Sequence, residues 1–275
     1  MKKRLFNNSY GIRVLALMIL STFIWMGCSG DNETGTSGHN PPVGVDDDTP
    51  PNDDDTPPAT TNYYKLVRVE NFGYDLENGN QFEDKATLYY NLIENKEAPS
   101  SLRKTSKWDI AFSGLYSSFM SGNNGTDSKN FGYGTSNVGG IYIVEKPFDE
   151  VTDIPDDGLF KTGSEIYGTD ENGDFGQGKG WYLYDFSGTI VRDGSSNNQH
   201  IAYALGDALK LKNGSTVPAR TLIVKTAKGD YAKIKMISVY KNIFDRENYT
   251  KDAEKMYFTF EYVVVPKGST RFEIK

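Results

Sequence analysis

Histidine and cysteine are the residues that the sequence has least of: His39, His200 and Cys28 are the only ones in 275 residues. A single cysteine excludes an intramolecular disulfide. A Ser-His-Asp triad needs a histidine in the folded part, and no Gly-x-Ser-x-Gly turn accompanies His200. One histidine with carboxylates is also a poor zinc ligand set. We therefore predict that the protein is not an enzyme, although a carboxylate pair of the glycoside-hydrolase type stays open because no pair stands out.

Long hydrophobic runs are also rare, and the clearest one lies at the start of the chain. The run from Val14 to Met26 is shorter than the about 20 residues that a membrane-spanning helix needs. It follows a basic segment and ends at Gly27-Cys28, which completes the three parts of a secretory signal. This ending resembles a lipobox, where cleavage before the cysteine leaves a thiol that carries diacylglycerol. We predict a signal peptide at residues 1–27 and lipidation of Cys28; the alternative is an uncleaved anchor.

Positive charge is scarce as well. The chain has 30 Lys and Arg against 37 Asp and Glu, which gives a formal net charge of −7. Four basic residues and no acidic ones precede Cys28, so cleavage there takes the charge to −11. Nucleic acids and anionic lipid head groups bind basic surfaces. We therefore predict no nucleic-acid partner, and attachment to a membrane through the lipid alone.

Apolar residues are nearly absent from Ser29 to Thr61, which holds six prolines and eight acidic residues. Such a segment cannot bury enough surface to offset its ordering entropy. Together with the lipidated cysteine, residues 28–61 are predicted to be a disordered tether. Asp31 and Glu33 resemble the signal by which Bacteroidetes lipoproteins reach the outer face of the cell. This favours an outer-membrane lipoprotein exposed at the cell surface.

Residues 62–275 are enough for one domain with a substantial core. Short runs rich in β-branched and aromatic residues recur there, each bounded by turn residues, and long helical periodicity is missing. The predicted strands are 63–69, 86–92, 108–112, 140–144, 180–184, 201–205, 221–226, 231–240 and 257–265. Only 148–151 and 248–254 are typical of short helices. The predicted fold is mainly β, a single antiparallel domain of sandwich or barrel-like type.

The clearest local prediction is a β-hairpin from Arg220 to Tyr240. Two alternating runs flank Lys228-Gly229-Asp230, a sequence typical of a tight turn. In the second strand, every other residue from Ala232 to Tyr240 shares one face because side chains alternate with a period of two. That face is predicted to be buried. The hairpin carries no nucleophile, phosphate loop or metal-ligand cluster, so it indicates architecture rather than activity.

Two other stretches contain residue types that bind ligands. The acidic run Asp170–Asp174 has carboxylate spacing like a calcium loop, but Phe175 and Trp181 stand where an EF-hand needs glycine and glutamate, which favours a turn. His200 lies between a polar loop and a predicted strand, where its imidazole could be an axial ligand of haem iron or an exposed group that binds nothing. Met120, next to a glycine-rich loop at 121–140, is the methionine freest to add a thioether.

Several motifs, taken in order, resemble the HmuY family of Bacteroidetes lipoproteins. They are Trp108-Asp-Ile-Ala-Phe112 with the glycine-rich segment after it, Phe148-Asp-Glu-Val-Thr-Asp-Ile-Pro155, Gly180-Trp-Tyr-x-Tyr-Asp185, and the strand from Arg220 with its turn to Lys233. The resemblance covers essentially the whole folded part. It implies a mostly β fold and, for the founding members, a haemophore that passes haem to a TonB-dependent outer-membrane receptor.

The founding members hold haem iron with two histidines. The folded part of this sequence has only His200, so it cannot supply both ligands. His200 takes the second position if this chain has an insertion after Asp185, and Tyr167 is the only iron-ligand type from 148 to 180. The expected function is therefore binding of haem or a related ligand, with His200, Met120 and Tyr167 as candidates. The alternatives are a glycan-binding surface lipoprotein that stacks tyrosines on sugars, and a surface interaction protein without a small ligand.

Overall fold

The structure, a computed structural model, describes residues 62–73 and 86–275. The predicted signal peptide, Cys28 and the tether lie outside these residues. The described part forms thirteen strands: β1 (Val67–Gly73), β2 (Leu88–Asn91), β3 (Lys96–Ala98), β4 (Ile110–Ser113), β5 (Phe119–Gly122), β6 (Gly140–Val144), β7 (Tyr182–Asp185), β8 (Ile201–Ala204), β9 (Leu209–Lys210), β10 (Thr216–Val217), β11 (Thr221–Lys225), β12 (Tyr231–Tyr240) and β13 (Lys255–Val265).

Helical structure in the described residues is limited to six 3-10 turns of three residues each. They are Ser100–Leu102, Leu115–Ser117, Phe148–Glu150, Asp157–Leu159, Ser196–Asn198 and Arg246–Asn248. None of them is long and apolar enough to cross a membrane. The prediction of a mainly β chain is therefore confirmed.

Two antiparallel sheets form the body of the domain. The larger has the strand order β1-β13-β12-β11-β6, and the smaller has the order β3-β2-β4-β5. Aromatic rings join them, because Phe112 of β4 stacks on Phe258 of β13 with centroids 4.4 Å apart, and Phe72 meets Tyr90 edge-on at 5.0 Å. Each buried ring of this size contributes roughly 1.5–3 kcal/mol. The core thus lies between the two sheets.

The central hairpin forms as its alternation predicts. β11 pairs with β12 around the turn at 226–230, and the face from Ala232 to Tyr240 is buried. On the opposite face Lys233 is buried too. Its Nζ donates to the carbonyl oxygens of Phe148 and Val151 at 2.7 and 3.0 Å. These hydrogen bonds satisfy the buried ammonium group beside the smaller hydrophobic cluster on that face of the sheet.

Two local predictions are wrong. Met120 does not border a free loop, because it lies in β5 and pairs across to Phe112 of β4. Residues 248–254 are not a helix; after the 3-10 turn Arg246–Asn248 they form a loop that leads into β13. Lysine and aspartate side chains of that loop are therefore presented by turns.

A separate two-stranded ladder, β7 with β8, lies against the larger sheet. Trp181 meets Phe258 edge-on at 6.0 Å, and the Tyr240 hydroxyl accepts the backbone N–H of Ala202 at 2.9 Å. The acidic run at 170–174 forms a turn beside this ladder. Asp170 accepts from Nε and Nη2 of buried Arg220 at 3.1 and 3.0 Å, so its carboxylate is used inside the protein.

Candidate functional site

A cavity of about 180 Å³ opens to solvent where three segments of the chain meet. These are the 3-10 turn after β4, the β7–β8 ladder, and the end of β12 with the start of β13 and the loop between them. The wall is mainly apolar and aromatic, with one imidazole and three charged side chains. Its residues are Tyr116, Ser118, Trp181, Tyr182, Tyr184, His200, Ala202, Val239, Lys251, Asp252, Lys255, Met256 and Phe258. A concave apolar site with few polar groups is the usual form of a small-molecule site.

His200 is the one imidazole of the described residues, and it lines this cavity half-buried. Its Nδ1 lies 3.0 Å from the Tyr184 hydroxyl, and the Phe186 ring meets it edge-on at 4.6 Å. Burial, and secondly the charges of Lys251 and Lys255, lower the pKa of His200. The ring is therefore neutral at physiological pH. In the tautomer that donates from Nδ1 to Tyr184, the Nε2 lone pair is free for a ligand.

Tyr184 positions that ring without carrying charge. Burial raises the pKa of Tyr184 to about 12, so its hydroxyl stays protonated at neutral pH. The neighbouring Tyr182 lines the same cavity, but its hydroxyl donates to Ser118 Oγ at 3.1 Å and accepts from Thr169 at 2.9 Å. Of the two cavity tyrosines on β7, Tyr184 alone is bonded to His200.

Two lysines give the cavity a positive end. Lys255 is partly buried, and its Nζ donates to the carbonyl oxygen of Lys251 at 2.6 Å. Burial, before any other cause, lowers the pKa of Lys255. Among the described residues neither lysine forms an ion pair, and Asp252 is the single acidic group of the wall. An acidic protein therefore carries a cavity with net positive charge, which favours a ligand with carboxylates.

Strained backbone marks the same place. Tyr116, His200 and Met256 line the cavity with φ values of 56°, 57° and 71°, in the left-handed region that non-glycine residues rarely adopt. Each such residue costs on the order of 1–3 kcal/mol, and such residues cluster at binding and active sites. The strain at these three wall positions supports a functional role for the cavity.

Met256 is the methionine that the structure places in the wall. Its side chain is buried but does not belong to the main core cluster, whereas Met120 and Met236 do. The position of Met256 in the cavity wall could not be predicted from the alternation of β13, because a buried methionine on a strand is typical of a core residue. Lys251 and Lys255 were missed as well; Lys251 lies in a turn rather than the predicted helix, and Lys255 begins β13.

The other two predicted site residues lie elsewhere. Met120 is 0% exposed and Tyr167 is 4% exposed; they pair with each other across an isolated bridge and belong to the core between the sheets. Neither lines the cavity with His200. The structure thus brings together His200 and Met256, and assigns Met120 and Tyr167 to packing.

A free metal ion has no ready site in residues 62–73 and 86–275, where no group of three or more His, Cys, Asp or Glu side chains could hold one. A single imidazole suits instead an iron that a porphyrin already holds in its plane. Aromatic walls, a neutral imidazole, a thioether and two lysines match the chemistry of haem, with its flat apolar ring, its iron and its carboxylates. The donor set therefore fits the group that the sequence resemblance implies.

The model of the family described as HmuY protein matches residues 74–262, which is more than half of the chain. The chain belongs to the HmuY family. No curated protein sequence matches it. The HmuY match also agrees with the mainly antiparallel β architecture described above, and the match ends within β13, so it includes every segment that lines the cavity.

Two solved structures are similar to this HmuY family member at low identity. One is the apo HmuY analog (TFO) of Tannerella forsythia, at 14% identity and a TM-score of 0.33, covering 74% of this chain and 96% of the other. The second is a candidate lipoprotein from Bacteroides fragilis NCTC 9343, at 13% identity and a TM-score of 0.30, covering 72% of this chain and 89% of the other. The family assignment depends on the sequence match alone.

Proposed function

We propose that this HmuY family member binds haem, or a closely related planar ligand with carboxylates, in the cavity beside His200. The observation that carries the proposal is a neutral, half-buried imidazole inside an aromatic cavity that also contains two lysines. The histidine provides the iron ligand, the aromatic wall contacts the ring, and the lysines attract the carboxylates. Membership in the HmuY family supports the same ligand.

His200 holds the iron through Nε2, while Tyr184 fixes the ring orientation through Nδ1. When bound, haem supplies an iron centre that accepts a lone pair from a nitrogen or sulfur donor. Met256 provides the second donor of the wall, as a thioether. Lys251 and Lys255 supply the positive charge that the propionates require, at the cost of desolvating Lys255.

The location of the protein follows from the N-terminal sequence. We propose that residues 1–27 direct export, that Cys28 carries the lipid, and that the protein is attached to an outer membrane at the cell surface. A haem carrier in this place would deliver its ligand to a TonB-dependent receptor. Replacing Cys28 with alanine should release the protein from the membrane fraction; continued outer-membrane attachment would contradict the lipid anchor.

Glycan binding is less well supported. A glycan platform needs exposed coplanar rings, but Trp108 and Trp181 are buried and Tyr133 is the one strongly exposed tyrosine of the described residues.

The experiment is a haemin titration of the chain without its signal peptide and Cys28, Ser29 to Lys275, followed by Soret absorbance in both redox states. His200→Ala should weaken saturable binding and change the Soret band, because the iron loses its nitrogen ligand. His39→Ala, in the predicted tether, is the matched control and should bind as the unmodified chain does. Absence of saturable binding would refute the haem proposal, and binding indifferent to His200→Ala would refute the ligand assignment.

A further inference from the structure

The cavity is small for the ligand proposed above. Sites that enclose a drug-sized ligand have volumes of about 300–1,000 Å³. A cavity of about 180 Å³ is below this range and cannot enclose a whole tetrapyrrole, because a tetrapyrrole is at least as large as a drug-sized ligand. If haem binds here, one edge enters the cavity and the rest of the macrocycle extends past the opening.

Two exposed phenylalanines adjoin residues of the cavity wall. Phe186 is 47% exposed and meets His200 edge-on at 4.6 Å. Phe175 is 77% exposed, and its ring lies 5.8 Å from Phe186 and 6.1 Å from Tyr184, a residue of the cavity wall. The aromatic surface is therefore continuous from His200 through Phe186 to Phe175.

Exposed phenylalanines are not unusual singly, but these two are held in place by the backbone. The N–H of Asp174 donates to the carbonyl oxygen of Tyr184 at 2.8 Å, and the Asp174 carboxylate accepts the N–H of Phe186 at 2.8 Å. One residue thus ties the turn that carries Phe175 to the strand end that carries Phe186. The buried ion pair of Asp170 with Arg220 secures the start of the same turn.

Phe175 also occupies strained backbone, with φ at 64°. A glycine or asparagine would adopt this conformation at lower cost. Because the ring is mostly in water, its burial in the free protein does not offset that strain. A phenylalanine in this place is explained if its ring is covered when a ligand is bound.

We propose that Phe175 and Phe186 form an outer wall of the binding site and pack against the part of a planar aromatic ligand that protrudes from the cavity. This inference rests on the proposed function and narrows it: the ligand is flat, wider than the cavity, and held by ring contacts outside the opening as well as by His200 inside it. Ring contacts do not need iron, so the outer wall also binds the metal-free porphyrin.

The test compares haemin with iron-free protoporphyrin IX, each titrated into the chain without its signal peptide and Cys28, Ser29 to Lys275. Phe175→Ala should weaken binding of both ligands by roughly tenfold, since an aromatic contact of this kind is worth about 1.4 kcal/mol with its buried area. Phe175→Trp should restore binding to within about threefold, because it keeps an aromatic face. His200→Ala should weaken haemin but leave the iron-free ligand nearly unchanged.

Tyr133→Ala is the matched control, because Tyr133 is 49% exposed and does not line the cavity. It should leave both affinities unchanged. Phe175 is more diagnostic than Phe186, whose removal also disturbs His200. If the unmodified chain binds haemin, and the Phe175→Ala variant binds each ligand as tightly as the unmodified chain does, the outer wall is refuted while the haem proposal stands. If the unmodified chain binds neither ligand, the haem proposal itself fails, and the outer wall fails with it.

Discussion

Removing the Tyr184 hydroxyl tests whether His200 is a positioned ligand or an incidental wall residue. Tyr184→Phe keeps the ring in the cavity but deletes the partner of Nδ1 at 3.0 Å. Without it the imidazole can rotate and can place its proton on Nε2, where the iron would bind. We expect haemin affinity to fall while the fold is retained, because Tyr184 is only half-buried.

The size of the loss follows from the type of hydrogen bond. Partners that orient a metal-bound histidine are worth about 10–100-fold in affinity, or roughly 1.4–2.7 kcal/mol. The pKa of Tyr184 is raised to about 12, so the interaction joins two neutral groups. Neutral hydrogen bonds are weaker than charge-assisted ones. The expected loss is therefore at the lower end, about tenfold.

The assay is a haemin titration with Tyr182→Phe as the matched control. Tyr182 lines the same cavity and loses the same atom, but its hydroxyl bonds Ser118 and Thr169 instead of His200. Tyr182→Phe should lower the free energy of unfolding by about 1–3 kcal/mol and leave haemin affinity nearly unchanged. Equal affinity losses in the two variants, or none in Tyr184→Phe, would refute a specific role for the Tyr184–His200 hydrogen bond.

The remaining predictions concern the Met256 thioether, the two lysines of the cavity wall and the buried Asp109. Met256→Leu should change the spectrum and lower the reduction potential of bound haem, because a thioether favours ferrous iron, whereas Met120→Leu should change neither; potentiometric titration decides. Replacing Lys251 and Lys255 with glutamine should raise the pKa of His200 towards its ordinary value, so that haemin binding is lost at a higher pH on acidification. NMR titration measures the pKa, and haemin titrations at several pH values measure the binding; an unchanged pH dependence would contradict this prediction. Burial raises the pKa of Asp109 from 3.8 to about 6, so between these two values the folded state keeps a proton that the unfolded state has lost. The free energy of unfolding should therefore fall by up to about 3 kcal/mol as the pH rises from below 3.8 to above 6, and urea unfolding at several pH values across this window should show the slope, which Asp109→Asn should lack.

Local patterns predicted most of the architecture. The alternation of Tyr231–Tyr240 fixes which face of β12 is buried, and Gly140–Val144 forms a strand with the predicted bounds. Both predictions come from the composition and alternation of a single segment. β5 was missed because Met120 adjoins a glycine-rich segment, and the strand is formed by pairing with β4.

The site was less predictable, because its wall comes from segments far apart in the chain. His200 stood out as the one histidine of the folded part. Met256 could not be distinguished from a core methionine, since its exposure is as low as that of Met236 and only the cavity separates them. The aromatic partner Tyr184 was visible as part of a motif, but its hydrogen bond to His200 depends on how β7 pairs with β8.

The most direct test of haem binding beside His200 is a crystal structure of Ser29 to Lys275 grown with haemin. We expect the iron bonded to His200 Nε2, the propionates towards Lys251 and Lys255, and the exposed part of the ring against Phe175. Haemin seated on any other surface, with the cavity beside His200 empty, would contradict this account.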